Sequence, residues 1–499
     1  MNYNDYFTLV IAVITGLAIV KIYQGLMRIG YACGRQPPIK VYWVLVGTLL
    51  ALSVSTPAFS DDYYGLPTAE PESLGMSTEK LGAIKANLQP LIDEHKVPGF
   101  VTVVARKGKI VHSEAFGSMD VERKKAMRPD TIFRMASMTK PITGAAVMIL
   151  VQEGKIAVSD PLSKYIPEFA EMKVLVQNEE GASSTVPADK PITIEHLLTH
   201  TSGLTDTFFP NAVAKLYAAA GLGLSAEELA VLRGSGDIED AVDLSGGGLT
   251  LEEFAKKAAE QPLLVQPGTQ WNYSIAMDVL GRVVEVVSGQ RYGDFLQERI
   301  FSPLGMKDAG FHVPKEKVAR FAASYAPQAA GMVLIDDPAK SSFLKVPSHD
   351  SGSGGMVGTA SDYLRFAQML LNGGELGGVR ILSEESVQKM TSDHLGPEFG
   401  DAPLSTIAQA FGVDLPPEVI QAFKGIGFGY CGSVVRDGAG STVFGTPGQY
   451  SWGGAWSTDF WIDRPQKLVG LVLTQITVGT YPIRMILNDA TYEALVERY

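Results

Sequence analysis

The spacing of apolar residues predicts a helix, a hairpin and a second helix in the first part of the chain. Residues 77–92 carry leucine and isoleucine every three or four positions, the period of an amphipathic helix. Two β-type runs, 100–106 and 110–116, follow and are separated by a Lys-Gly-Lys turn that is typical of a hairpin. A helix that is apolar on nearly every face then covers 137–152 and is stopped by Gly154. This order suits an antiparallel sheet with helices packed on it.

The middle and C-terminal parts of the chain have different patterns. From about residue 159 to residue 303 the pattern is mostly helical and rich in loops, and helices are expected at 193–198, 225–232, 249–259 and from a Ser274 cap to Gly289. Strand patterns return later, at 426–436, 441–444, 455–463 and 467–475. Helices are expected beside them at 361–371 and 481–498. We therefore predict an α/β fold of the α+β type. An antiparallel sheet built from both chain ends is flanked by helices and interrupted by a mainly helical insertion at about 159–303.

Composition places the chain among globular proteins. Its 499 residues can bury a large core, and 46% hydrophobic with 19% charged residues argues against disorder. The formal net charge of −12 argues against nucleic acid as a partner.

Residues 1–60 have the layout of a leader, and 61–499 are expected to form the functional domain. Apolar runs at 7–20 and 41–54 are each shorter than a comfortable membrane span, which needs about 20 residues. Basic residues, an apolar stretch and small residues ending at Ser60 form a secretory signal layout, so we expect cleavage after Ser60 and an exported protein, periplasmic or secreted. The alternative is that both runs remain and attach the protein to a membrane.

Ser137 and Lys140 form the first candidate catalytic pair. Residues three apart on a helix share a face, so the serine hydroxyl and the lysine ammonium can meet at the start of the apolar helix. The helix N-terminus favours developing negative charge, and a serine beside a lysine there suits an activated nucleophile. The same Ser-x-x-Lys spacing also begins at Ser77, Ser342 and Ser386, where a cap or a polar stretch explains it. A plain cap of a buried helix remains the alternative for Ser137.

Tyr273 is the second candidate. It follows a Pro-Gly turn and precedes a predicted helix, a place from which a phenol can project into a cleft. A lysine ammonium nearby would favour the phenolate, which could take the serine proton as a general base. A phenol on a cleft wall, with its hydroxyl in water, is the alternative.

Trp452, Gly453, Gly454 and Ala455 form the third candidate segment. Two glycines entering a strand mark a bulge or a close approach of the backbone to a ligand. A backbone N–H there could share an oxyanion with the N–H of Ser137. A simple turn explains the glycines equally well.

Several of these segments together resemble the serine β-lactamase and penicillin-binding protein superfamily in their order and spacing. Within it, the chain is most similar to the class C-like branch that includes the family VIII carboxylesterases. The segments are Ser137-Met138-Thr139-Lys140, His200-Thr201-Ser202-Gly203-Leu204, Tyr273-Ser274-Ile275 and Trp452-Gly453-Gly454. The resemblance implies that Ser137 is the acylated nucleophile, that Lys140 and Tyr273 activate it, and that the N–H groups of Ser137 and Ala455 form an oxyanion hole.

Two departures from the β-lactamases of this branch bear on the substrate. Where those enzymes carry Tyr-x-Asn, this chain has Ile275 in place of the asparagine. Where they carry Lys-Thr-Gly, it has Trp452 in place of the lysine. The losses remove an amide suited to a β-lactam side chain and a cation suited to its carboxylate. The resemblance therefore points to neutral esters.

We expect a serine hydrolase that works through an acyl-enzyme, a carboxylesterase for small or short-chain esters. The alternatives are a weak β-lactamase or D-Ala-D-Ala-type amide hydrolase, and a scaffold of the same fold without catalysis. No spacing typical of a zinc site is present, and we expect neither metal nor cofactor. His200 is expected to pack rather than to catalyse, and Cys431 to be a buried structural thiol.

Overall fold

The computed structural model describes residues 63–177, 182–234, 248–329, 331–396, 399, 425–436, 445–477 and 481–498. The described residues all belong to one compact unit, Asp61–Tyr499. The predicted leader with its cleavage after Ser60, the apolar runs at 7–20 and 41–54 and the predicted strand at 441–444 lie outside the described residues. Among the residues that are described, no helix combines the length and the apolar character needed to cross a membrane.

The strands are named here in chain order. They are β1 Gly99–Arg106, β2 Lys109–Asp120, β3 Lys125–Ala126, β4 Phe133–Arg134, β5 Lys173–Gln177, β6 Ser183–Pro187, β7 Ser324–Gln328, β8 Gly331–Asp336, β9 Val357–Gly358, β10 Glu375–Leu376, β11 Val379–Arg380, β12 Ile426–Phe428, β13 Ser433–Val435, β14 Tyr450–Gly454, β15 Thr458–Asp463 and β16 Leu468–Leu473.

The helices follow the same numbering. They are α1 Thr78–Asp93, α2 Thr139–Gln152, α3 Ile194–Leu198, α4 Ala212–Ala220, α5 Ala226–Leu232, α6 Leu251–Ala259, α7 Ala276–Ser288, α8 Tyr292–Leu296, α9 Ser302–Leu304, α10 Ala360–Leu371, α11 Glu384–Met390 and α12 Ile483–Glu493.

Both ends of the chain build the main sheet, as predicted. Within the described part of the chain its strands lie in the order β12-β13-β14-β15-β16-β1-β2-β3. The first strand of the chain, β1, pairs antiparallel with the last, β16, and Val103 lies opposite Leu471. The predicted fold class, an antiparallel sheet flanked by helices, is confirmed.

The position of strand β1 inside the sheet explains why its sequence is apolar throughout instead of alternating between apolar and polar residues. All eight of its residues are buried. Successive side chains point to opposite faces of a sheet, so Val101 and Val103 join the core that contains helix α2. Phe100 and Val104 join the core formed with α1 and α12. Each face of the central strands is therefore covered by helices.

Helix α2 lies inside the protein and carries the candidate pair at its start. Its residues are buried without interruption from Thr139 to Leu150, in agreement with a sequence that is apolar on nearly every face. It packs against α7, α11 and the short 3₁₀ turn Ala136–Met138 that precedes it. Strand β4 pairs antiparallel with β9, so residues 357–358 lie beside the strand that leads into this turn.

The predicted insertion at 159–303 differs from the prediction in two places. It contains an antiparallel hairpin, β5–β6, in addition to helices. Every residue of β6 is exposed, so the strand has no apolar face that a sequence pattern could reveal. Helix α4 was not predicted either; Asn211 caps it, its side chain accepting a hydrogen bond from Ala214 N (2.8 Å).

The C-terminal strands also differ from the prediction. The single strand expected at 426–436 is two strands, β12 and β13, joined by a turn in which Cys431 has a positive φ of 62°. The prediction that Trp452, Gly453 and Gly454 lead into a strand is wrong. They are the last three residues of strand β14. Ala455 lies in the tight turn between β14 and β15, where Gly454 pairs with Thr458.

Candidate active site

The turn that carries Ser137 holds one strained residue. Ala136 has a φ of +46°, a left-handed conformation that costs a residue with a side chain about 1–2 kcal/mol. Two hydrogen bonds hold the turn: Thr139 Oγ1 donates to Ala136 O (2.7 Å), and Met356 N donates to Thr139 Oγ1 (3.1 Å). Met138 is the N-cap of α2, so Ser137 lies next to the cap, as predicted.

Ser137, Lys140 and Tyr273 meet at this turn. The Ser137 Oγ lies 2.6 Å from the Tyr273 hydroxyl, and Lys140 Nζ donates to the same Oγ at 3.3 Å. The ammonium also lies 4.6 Å from the centre of the Tyr273 ring. Ser137 is partly exposed, whereas Lys140 is only 2% exposed. The hydroxyl that faces solvent is thus supported from inside the protein by an amine and a phenol.

A backbone carbonyl satisfies the buried ammonium. Lys140 Nζ donates to the Ser353 carbonyl oxygen at 2.6 Å. A buried charge without such a partner would be strongly disfavoured. The role of Ser353 is not predicted from the sequence, because a backbone carbonyl has no residue signature; the dense Ser-Gly composition of residues 351–355 is the signal that a close approach occurs there.

The segment around Tyr273 is fixed through its backbone and through His200. Asn272 N donates to His200 O (2.8 Å) and Ile275 N to Thr205 O (3.2 Å). The His200 ring lies 4.9 Å from the Tyr273 ring, and its Nδ1 is 3.0 Å from Ser274 Oγ. Burial, with the Lys140 charge adding to it, holds the pKa of His200 well below its usual range. His200 is therefore a neutral packing residue beside the phenol.

The expected helix cap at Ser274 is displaced by one residue. Ile275 occupies the N-cap position of α7 and makes no side-chain cap bond. The Ser274 hydroxyl, one residue earlier, accepts from Ala276 N at 3.4 Å and lies 3.0 Å from His200 Nδ1. The predicted helix itself and its stop at Gly289, which has a left-handed φ of 72°, are present.

The end of strand β14 packs directly against the Ser137 turn. A Cβ on Gly454 would lie 2.3 Å from Met135 O and 3.3 Å from Ala136 Cβ, so only glycine allows this approach. Thr458 Oγ1 donates to the same Met135 carbonyl at 3.3 Å. The backbone of residues 453–455 is thereby brought beside the nucleophile turn.

Exposure separates the predicted substrate-contacting residues into two kinds. Gly453 and Ala455 are partly exposed. Ile275 and Trp452 are only 3% and 5% exposed, and the Trp452 ring packs against Tyr273 (5.9 Å) and Phe428 (5.3 Å). The side chains of Ile275 and Trp452 thus leave little surface for a substrate, as does the buried Gly454, whereas Gly453 and Ala455 leave more.

Two buried carboxylates, Asp206 and Asp278, are part of the surroundings of the site and are not predicted from the sequence. Burial raises the pKa of Asp206 to about 7, although the Lys140 charge opposes the rise. Asp278, on α7, accepts hydrogen bonds from Ser351 Oγ (2.7 Å) and Ser353 N (3.2 Å). Single aspartates in a helix and a loop carry no motif, and only the folded chain brings them to the lysine.

In the described ranges, no group of three or more His, Cys, Asp or Glu side chains could hold a metal ion.

Comparisons with known proteins agree with this geometry. A model of the Beta-lactamase family matches residues 84–490. Protein Rv1367c of Mycobacterium tuberculosis is 35% identical over 394 residues, which cover 78% of this chain and 89% of that protein. Esterase EstB of Burkholderia gladioli is 30% identical over 450 residues, 85% of this chain and 98% of that one.

A solved structure shows the same fold. EstCE1, described as a hydrolase with promiscuous acyltransferase activity, matches with a TM-score of 0.65 at 27% identity and covers 83% of this chain and 99% of its own. The predicted resemblance to the serine β-lactamase and penicillin-binding protein superfamily is confirmed. The chain belongs to the Beta-lactamase family and is a serine hydrolase.

Proposed function

We propose that the protein is an exported carboxylesterase that cleaves small or short-chain esters through an acyl-enzyme on Ser137. The observation that carries the proposal is the position of the Ser137 Oγ, within hydrogen-bond distance of both the Tyr273 hydroxyl (2.6 Å) and Lys140 Nζ (3.3 Å). A nucleophile in contact with a base, which is itself held by a second group, is the arrangement that covalent catalysis requires.

In the acylation step, Ser137 Oγ attacks the ester carbonyl carbon and its proton passes to the Tyr273–Lys140 pair. The carbonyl oxygen becomes an oxyanion in a tetrahedral intermediate. Collapse of this intermediate re-forms the carbonyl and breaks the bond to the alcohol oxygen, which takes the proton from the pair. The acyl group then remains on Ser137.

Deacylation repeats the sequence with water. The Tyr273–Lys140 pair takes a proton from the attacking water, and a second oxyanion forms. Its collapse breaks the bond to Ser137 Oγ, which receives the proton, and the carboxylic acid leaves. The same pair thus acts as base and then as acid in each half of the cycle.

The oxyanion hole proposed here consists of the N–H groups of Ser137 and Ala455. The packing of Gly454 against Ala136 supports this, because it places the turn after β14 beside the nucleophile. Backbone donors fixed in this way need no rearrangement as charge develops, and each such donor contributes about 3–4 kcal/mol in other enzymes.

The chemistry near β14 favours a neutral substrate. Trp452 occupies the position at which the related β-lactamases carry a cationic lysine. Ile275 occupies the position at which they carry the amide of an asparagine. The Arg484 guanidinium does reach this strand, but it donates to Ser451 Oγ (2.6 Å) and lies 3.5 Å from an Asp459 carboxylate oxygen. The relative named as an esterase and the neighbour named as a hydrolase support the same substrate class. The leader layout of residues 1–60 supports export.

A comparison of substrates tests this function. We expect kcat/KM for p-nitrophenyl acetate or butyrate to exceed that for nitrocefin by on the order of 100-fold or more, because a site without partners for the lactam carboxylate and side chain binds them poorly. Release of D-alanine from a D-Ala-D-Ala peptide is measured in parallel. Recovery of the protein outside the cytoplasm with Asp61 as its first residue would support export.

Each alternative has its own outcome in these assays. Faster turnover of nitrocefin than of the esters contradicts the proposal and favours a β-lactamase. Efficient release of D-alanine favours a peptidase. A folded protein that neither turns over any substrate nor reacts with a fluorophosphonate probe would be a scaffold.

A further inference from the structure

Asp278 follows Tyr273 by five positions in the chain, and among the described residues its side chain binds Ser351 and Ser353, not Ser137 or Lys140. It is 5% exposed and occupies the first turn of α7. One of its oxygens, Oδ1, accepts two hydrogen bonds, from Ser351 Oγ at 2.7 Å and from Ser353 N at 3.2 Å. The carboxylate therefore binds both ends of the three-residue segment 351–353.

This segment is clamped between two helices. From α2, Thr143 Oγ1 donates to Gly352 O at 2.8 Å. From α7, the Met277 carbonyl lies so near that a Cβ on Gly352 would come within 2.5 Å of it. Ser351 Oγ also accepts from Gly354 N at 3.2 Å, which closes the turn. The backbone of 351–354 thus has one position, and Asp278 provides its charged anchor.

The anchored segment holds Lys140, one member of the proposed acid–base pair. The carbonyl oxygen of Ser353 accepts from Lys140 Nζ at 2.6 Å, a shorter distance than the 3.3 Å from Nζ to Ser137 Oγ. A shift of residue 353 would therefore move the ammonium relative to the nucleophile. Misplacement by about 1 Å can lower a rate by on the order of 100-fold.

We propose that Asp278 is a positioning residue for acylation: it fixes the 351–353 turn, whose Ser353 carbonyl holds Lys140 against Ser137. The inference rests on the proposed function, since it assigns Lys140 a role in activating Ser137. It goes beyond that function because Asp278 acts through Ser353 and has no contact with the nucleophile.

The charge of Asp278 should have a second effect, on the pH dependence of the rate, and this effect can be measured. Besides Asp278, the titratable groups around the ammonium in the described part of the chain are Tyr273, His200, Asp206 and Cys431. Burial lowers the pKa of His200 and raises the pKa of Cys431, so both are neutral near pH 7. Burial and, less strongly, repulsion from Asp278 raise the pKa of Asp206 to about 7. Removal of the Asp278 charge should therefore move the titration of this cluster to lower pH.

Two substitutions at Asp278 separate hydrogen bonding from charge. Asp278→Ala removes both acceptor contacts, and we expect kcat for a p-nitrophenyl ester to fall by about 10- to 100-fold with little change in KM. Asp278→Asn keeps an oxygen that can accept both bonds but removes the charge. We expect a smaller loss of kcat and a shift of the acidic limb of the kcat/KM profile to lower pH, by roughly half a pH unit or more.

Asp350→Asn is the matched control. Asp350 is next to Ser351 and holds the same loop from its other side, through Arg291 (2.6 and 2.8 Å) and Gly293 N (3.0 Å). Asp350→Asn should lower the Tm as much as the Asp278 substitutions do, yet leave the acidic limb of the kcat/KM profile at its wild-type pH. The rate of Ser137 labelling by a fluorophosphonate, measured for each variant, gives a readout that does not depend on the choice of ester.

The outcomes distinguish this inference from the proposed function. Folded Asp278→Ala protein with wild-type kcat and labelling rate overturns the inference, as does a limb shift of equal size in Asp350→Asn. If Asp278→Ala does not fold, the Asp278→Asn protein provides the test. A wild-type kcat in that protein, together with an unshifted acidic limb of the kcat/KM profile, overturns the inference. Absence of ester turnover in the wild-type protein contradicts the proposed function instead.

Discussion

Replacement of Ser137 by alanine is expected to lower kcat/KM for a p-nitrophenyl ester by on the order of 10⁴-fold or more. The change removes the oxygen that lies within hydrogen-bond distance of both Tyr273 and Lys140 (2.6 and 3.3 Å), so no acyl-enzyme can form on this turn. Because the serine is partly exposed, the loss of one oxygen should leave the fold intact. Labelling by a fluorophosphonate should disappear together with turnover.

Ser77→Ala is the matched control for this prediction. Ser77 also precedes a lysine by three residues, but it caps α1, its hydroxyl accepting from Lys80 N at 3.3 Å. The control should lose about 1 kcal/mol of stability and keep its activity. Probe labelling that survives in Ser137→Ala would place the nucleophile elsewhere and contradict the mechanism.

Lys140→Met is expected to lower kcat/KM by on the order of 10³-fold, within the range found for the loss of a general acid–base group. Methionine has a similar length and suits a site in which the lysine is 2% exposed. It cannot donate to Ser137 Oγ or to the Ser353 carbonyl, which accepts from the lysine at 2.6 Å. The measurement is the rate of acylation in a pre-steady-state burst, with folding checked by circular dichroism.

Lys155→Met provides the comparison. Lys155 follows the C-terminal end of α2, is half exposed and pairs with Glu153 at 3.0 Å, so its loss should change neither the rate nor the fold measurably. An acylation rate in Lys140→Met within about threefold of the wild-type rate would leave Tyr273 as the sole candidate base.

Much of the fold could be predicted because several elements carry two agreeing signals. Helix α1 has an apolar stripe and a serine cap, and it was placed to within one residue at each end. Strand β2 was predicted to end at Phe116 but continues to Asp120, because the polar residues after Gly117 still pair with β3. Hairpin β5–β6 was missed since β6 is exposed along its whole length. Sequence patterns thus reveal buried faces and miss strands that have none.

The site shows the same limit. Ser137, Lys140 and Tyr273 were found because hydroxyl, amine and phenol have recognisable chemistry in a recognisable order. The position of β14 was misjudged, since glycines weaken a strand pattern even where packing demands them; Gly454 is required by the Met135 carbonyl, 319 positions earlier in the numbering. The Ser-Gly composition of 351–355 indicates a close approach but not which carbonyl meets the lysine, and the positive φ of Ala136 has no residue signature, so only coordinates could assign the two.

The order of strands in the sheet has a consequence for biosynthesis. Strand β1 is flanked by its neighbour β2 on one side and by β16, more than 350 positions later, on the other. The Ser137 turn likewise receives its glycine-edged neighbour from residues 450–454. In a growing polypeptide the Ser137 turn therefore lacks this neighbour until nearly all of the chain has been made, and pairing across such distances is slow. Under the proposed mechanism, covalent capture of Ser137 would then serve as a reporter that maturation is complete.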